Sequence, residues 1–186
     1  MAGTYELLGT AFADGSAPTT LTVSSIPQTH DDLEIVALLM GGTGTYGAEA
    51  KFRINGVTGA YYNRSWIRSI NNVSYTNANM SGDTGIAVSQ GIGTGDTATN
   101  DNCAISIVYI AGYTQSSGGS PETGFTSGLL RTRQVANAGT AELGVYSWSM
   151  QGVDAADGDP VSEFGVYGAG GMAEKSMIAV YGIKRS

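Results

Sequence analysis

The chain has 186 residues, 16 acidic against 9 basic side chains, a net charge of −7 and one cysteine, Cys103. That length suits one domain, 1–186, with a core large enough to fold without staples. The acidic balance gives no basic stripe for nucleic acid or for an anionic membrane surface, and a lone cysteine excludes an internal disulfide.

Glycine occurs 28 times, roughly twice the average share of about 7%. Val and Ile number 12 each against 9 Leu, a balance that favours strands over helices. Thr4 to Phe12 reads as a first strand, with no export-type leader before it. Leu21 and Val23 alternate with Thr20, Thr22 and Ser24 in a second strand, which Pro27 ends because it offers no N–H. Leu33 to Met40 is almost entirely apolar and predicts a strand covered on both faces. Its apolar run, like every other in the chain, is far shorter than the ~20 residues a membrane helix needs. These features predict a protein made in a cytoplasm.

Ala48 to Ile54 alternates cleanly, with Ala50, Phe52 and Ile54 inward and Glu49, Lys51 and Arg53 outward. Asn55-Gly56 supplies the positive-φ pair of a tight hairpin, with Tyr61 to Ile67 as the returning strand. Ser69 to Asp83 is polar and Asn-rich and reads as loop with one short strand. Thr84 to Gln90 is a further strand candidate. Cys103 to Tyr113 carries the strongest strand pattern, with Cys103, Ile105, Ile107 and Tyr109 on one face and Ala104, Ser106, Val108 and Ile110 on the other. Phe125 to Ala136, Glu142 to Met150, Pro160 to Tyr167 and Ser176 to Lys184 complete the set. Only Gly171 to Met177 has room for a helical turn. Roughly nine to eleven strands are too many for one open sheet in so short a chain, and predict an all-β, single-domain, two-sheet, jelly-roll-like β-sandwich with essentially no helix.

Chemistry is sparse. His30 is the only histidine. Its neighbours Asp31 and Asp32 point away from it on an extended chain, so no Ser-His-Asp relay is expected. Cys103 on an apolar strand reads as an inert buried thiol. Asp154, Asp157 and Asp159 share a Gly-containing loop and form a weak Ca²⁺ candidate, but no Glu follows at the twelfth position of an EF-hand frame. Among Glu6, Glu34, Glu49, Glu142 and Glu163 nothing singles out a glycosidase pair. The Gly-rich runs lack the Lys and the helix of a phosphate loop. No catalytic residue, cofactor or firm metal site follows, and the chain reads as a non-enzyme. The remaining interest is aromatic. Tyr61, Tyr62 and Trp66 on one strand, and Tyr146 and Trp148 on another, are candidates for a partner interface, a sugar platform or plain core.

Four segments resemble small virion proteins of tailed bacteriophages: Leu21-Thr-Val-Ser-Ser-Ile-Pro-Gln-Thr-His-Asp-Asp-Leu33, Arg53-Ile-Asn-Gly56, Ser106-Ile-Val-Tyr-Ile110 and the closing Ser176-Met-Ile-Ala-Val-Tyr-Gly-Ile-Lys184. His30 stands where that family more usually has Tyr, so no role passes to it. The resemblance implies a capsid decoration, or cement, protein of jelly-roll build. Such a protein would be a homotrimer on the capsid surface of the virion that bridges capsomers by binding the major capsid protein. Two other expectations stand beside it. A tail- or fibre-associated glycan-binding module requires the aromatic rows to be exposed in a groove. A carbohydrate-acting enzyme requires two facing carboxylates in a pocket.

Overall fold

The computed structural model describes residues 4–41, 48–70, 73–92, 103–114, 125–135, 141–151 and 159–185. Among these lie twelve strands and no helix: β1 (Thr4–Phe12), β2 (Thr20–Ser24), β3 (Asp32–Leu39), β4 (Ala48–Ile54), β5 (Tyr62–Ile70), β6 (Val73–Asp83), β7 (Ile86–Ile92), β8 (Ala104–Ala111), β9 (Phe125–Val135), β10 (Ala141–Gln151), β11 (Glu163–Gly168) and β12 (Met177–Lys184). They form two antiparallel sheets. One has eight strands in the order β1-β12-β3-β8-β9-β10-β5-β6, and the other has four in the order β2-β11-β4-β7. The fold is therefore an all-β sandwich with sheets of unequal width.

Alternation explains the layering. On β2, Leu21 and Val23 are buried while Thr20, Thr22 and Ser24 are exposed. On β4, Ala50, Phe52 and Ile54 are fully buried. Phe52 lies at the centre of the interior. Its ring meets Trp148 of β10 edge-on at 5.0 Å and stacks on Phe164 of β11 at 5.3 Å. One hydrophobic cluster runs through both sheets around this contact.

Two glycines make room for large rings on the inner face. A Cβ at Gly144 would lie 2.5 Å from the Tyr146 ring. A Cβ at Gly128, the residue opposite Trp148 on β9, would meet the Tyr109 carbonyl oxygen and, at 2.9 Å, the Trp148 ring. Glycine inside a strand often marks such a close approach.

Three expectations change. Ser69 to Asp83 is mostly strand, because the eleven-residue β6 pairs with β5 despite its polar composition. Asn55 and Gly56 do take positive φ, 51° and 68°, but the turn does not close a hairpin. Strand β4 pairs with β11 and β7, and the turn hands the chain to β5 in the other sheet. The Asn55 side chain holds the crossing, with Oδ1 accepting from the N–H groups of Ser162 and Glu163 at 2.9 and 3.1 Å. Gly171 to Met177 holds no helical turn: Met172 bridges to Gly41, a turn follows at Glu174 and Lys175, and Met177 opens β12.

Gly128→Ala should destabilise the domain by about 2–3 kcal/mol, because an added methyl overpacks against main chain and an immobile ring. Equilibrium urea denaturation checks this.

Candidate functional site

The aromatic rows are interior, so of partner interface, sugar platform and plain core it is the core reading that their burial favours. Tyr62, Trp66, Tyr146 and Trp148 are between 0% and 5% exposed. Tyr61 is half-buried against the same cluster. The Tyr62 hydroxyl accepts from the Ile54 N–H at 3.0 Å and donates to the Val57 carbonyl at 3.2 Å. Trp66 stacks on Tyr146 at 6.1 Å. The alternation placed these rings on common faces correctly, but the faces are the ones turned toward the four-stranded sheet.

Arg64 stands in that row between Tyr62 and Trp66. Its guanidinium lies 5.0 Å from the Trp66 ring centre. Around it gathers a cluster of four charges. Arg64 reaches Glu49 at 3.7 Å and Asp83 at 3.6 Å, and Lys51 reaches Asp83 at 2.7 Å and Glu49 at 3.4 Å. Burial works against the charged Lys51, but its hydrogen bond to Asp83 and the charge of Glu49 outweigh that and raise its pKa. Two cations against two carboxylates make the cluster internally neutral. It is built to hold charge, not to pass a proton. Spacing along the chain concealed it, yet an Arg set among inward aromatics was the available signal, because a buried guanidinium needs carboxylates.

A second acidic centre ties the C-terminal end of β12 to β3. Asp32 is 2% exposed. It accepts from Arg185 at 2.5 and 2.7 Å, from the Gly112 N–H at 3.0 Å and from the Tyr109 hydroxyl at 2.7 Å. Burial pushes its pKa up, but these donors together hold it below the ordinary carboxylate value.

His30 is buried, with Nε2 3.1 Å from Glu6 and Nδ1 3.0 Å from the Thr29 hydroxyl. Cys103 is half-buried rather than fully buried, because its face of the strand turns outward. Asp154 and Asp157 lie outside the described residues, and Asp159 is exposed. Among the described residues no three His, Cys, Asp or Glu side chains gather as a metal site. An open hollow of about 440 Å³ lies over β5, β6 and β10, lined by Asn63, Arg64, Ser65, Ser81, Ser147, Trp148 and Ser149, with no carboxylate among them.

The most unusual surface is the outer face of the eight-stranded sheet. Ile67, Leu129, Leu143 and Val145 are 47–66% exposed, and Ile105 and Ile107 lie beside them at 43% and 37%. Ladder register puts them in three cross-strand rows. Leu38, Ile105, Arg133, Leu143 and Ser69 form one row, Val36, Ile107, Arg131, Val145 and Ile67 the next, and Glu34, Tyr109, Leu129, Ser147 and Ser65 the third. At the far edge Tyr5, Leu7 and Phe12 of β1 are also exposed, at 53–61%. The outer face of the four-stranded sheet is the opposite, with Thr20, Thr22 and Ser24 exposed and Glu49, Lys51 and Arg53 half-buried. A solvated antiparallel face normally reads polar, and apolar patches this broad mark interaction sites.

Comparison with known proteins gives no further support for any activity. No family model matches the chain, and no curated protein does. Among solved structures, the C2A and C2B domains of extended-synaptotagmin 2 align at 8% identity over 67% of this chain and 42% of that one, with a TM-score of 0.14. A likeness that weak carries no argument.

Two outcomes follow from the charged centres. Asp83→Asn should cost about 3 kcal/mol, since it strips a charged partner from buried Arg64 and half-buried Lys51; thermal or urea unfolding measures this. Asp32→Asn should cost about 2 kcal/mol at pH 7, given hydrogen bonds to a charged acceptor. The folded pKa of Asp32 is depressed, so its contribution is complete above the unfolded value of about 3.9 and is lost as pH falls through the folded one. The difference between wild type and variant should therefore shrink in urea titrations repeated below about pH 4.

Proposed function

We propose that this chain is a structural component of a phage virion, a capsid decoration protein that binds the assembled shell and stabilises it by bridging capsomers. The observation that carries the reading is the contrast between the two sheets: one presents polar side chains to solvent, the other a largely apolar face. A protein that works by covering and being covered needs such a face, and needs no pocket. The four-segment resemblance to tailed-phage virion proteins points the same way. It brings with it the jelly-roll wiring, the homotrimer, the major capsid protein as partner and the virion surface as location, after synthesis in the host cytoplasm. All of these belong to the proposal. Several weak contacts to a shell add, because after the first the others are intramolecular. The glycan-binding alternative loses its basis, since the rings it relies on are buried. The enzyme alternative has no paired carboxylates in the serine-lined hollow to favour it.

Counting copies of this chain per major shell subunit in purified particles tests the proposal. The expected result is a high ratio fixed by the shell's symmetry. A handful of copies per particle, or none, would overturn it.

A further inference from the structure

We propose that β1 is a releasable strap over the edge of the eight-stranded sheet, latched to the body of the domain by the pair Glu6–His30. The proposal goes beyond the virion reading and does not rest on it.

The strap is lightly held. Among the strands described along their whole length, β1 alone has no buried residue. It is an edge strand whose one ladder partner is β12. That ladder runs from Thr4 opposite Lys184 to Phe12 opposite Met177 and is broken once, between Leu7 and Gly9. Leu8 and Ala11 are half-buried against the core, while Tyr5, Leu7 and Phe12 are exposed. The apolar area a segment buries sets much of the free energy needed to open it, so β1 opens before the strands behind it. The next residue marks the hinge. Ala13 is buried, and its N–H donates to the Ser176 carbonyl at 2.9 Å.

The latch has a fixed half and a movable half. His30 is the fixed half. It is buried, and its ring lies against Gly182 of β12, where an added Cβ would be 2.5 Å from the ring. Its Nδ1 is 3.0 Å from the Thr29 hydroxyl, and its main-chain N–H donates to the Tyr113 hydroxyl at 3.4 Å. Glu6 is the movable half. It is the only charged residue of β1, and its side chain is 69% exposed. Register sets it opposite Gly182, and its Oε2 reaches His30 Nε2 at 3.1 Å. An ionised carboxylate only accepts, so Nε2 carries the proton and donates. Among the described residues this is the one side-chain hydrogen bond that β1 makes. The strap's single charge thus meets the chain's single histidine, which the body holds still to receive it.

What the strap covers gives the latch its purpose. Strand β12 lies between β1 and β3. Its run from Met177 to Ile183 has seven residues with no charge and no proline. A run of that kind with a bare edge pairs with strands of other chains. Closed, β1 occupies that edge; open, it leaves the ladder groups of β12 exposed. The latch sets how often the edge is bare.

Residue-resolved hydrogen exchange of the full chain, repeated at low denaturant concentrations, tests this. Strand β1, and the β12 amides that face it, should exchange about tenfold or more faster than β3 and β8, with a weaker denaturant dependence, as a sub-global opening does. Glu6→Ala should speed β1 exchange about fivefold further and leave β3 and β8 unchanged. Glu6→Gln keeps an acceptor and should restore most of the protection. Thr10→Ala, at another exposed position of β1, should shift β1 exchange by under about twofold. Exchange of β1 only together with β3 and β8 would overturn the strap. A Glu6→Ala effect no larger than that of Thr10→Ala would overturn the latch. Either failure leaves the copy number of the chain in particles, and with it the virion reading, to be decided separately.

Discussion

The contact of Phe52 with Trp148 and Phe164 holds the two sheets as one body. Phe52 sits on the narrow sheet, fully buried, and meets a ring of the wide sheet edge-on and a ring of its own sheet by stacking. Aromatic pairs of this geometry contribute beyond the area they bury, by about 0.5–1.5 kcal/mol each. The wider layout accommodates them. Gly128 and Gly144 clear the space that Trp148 and Tyr146 occupy. The Asn55 side chain fixes the point where the chain leaves β4 for the other sheet.

Once the rings are inside, the outer surfaces are decided by what remains. On the narrow sheet the alternate residues are Thr, Ser, Glu, Lys and Arg, and water suits them. On the wide sheet Ile67, Ile105, Ile107, Leu129, Leu143 and Val145 are exposed, interspersed with polar residues such as Glu34, Arg131 and Ser147. Period-two alternation normally separates a dry face from a wet one. Here β3, β8 and their neighbours keep two largely apolar faces in an antiparallel sheet, and among the described residues only the inner one packs against another element. Burial of an exposed aliphatic side chain is worth about 1.5–3 kcal/mol, so covering this face supplies the driving force for association that the acidic remainder of the surface opposes.

Much of this was legible in the residues. Period two located the strands, and the near-continuous apolar run from Leu33 to Met40 indicated a strand needing cover on both sides. Its outer residues Val36 and Leu38 are half-buried within the single chain. Strand β6 is longer than the one short strand expected within Ser69 to Asp83, because its sequence is rich in polar Ser, Thr and Asn and its pairing with β5 supplies what composition does not. The aromatic rows show a general limit. Alternation tells which residues share a face, but not which face meets the other sheet, because that depends on long-range pairing. The same limit hid the cluster of Glu49, Lys51, Arg64 and Asp83, whose members come from three strands and meet only when the sandwich closes.

The account rests on the wide sheet's outer face being covered by protein in the working state. Radical footprinting read by mass spectrometry measures this directly, on the dilute chain and on its assembled form. Ile67, Leu129, Leu143 and Val145 should be strongly labelled in the dilute chain and protected in the assembly, while Thr20 and Thr22 on the opposite face keep their labelling. Equal labelling of the four aliphatic residues in both states would contradict the account.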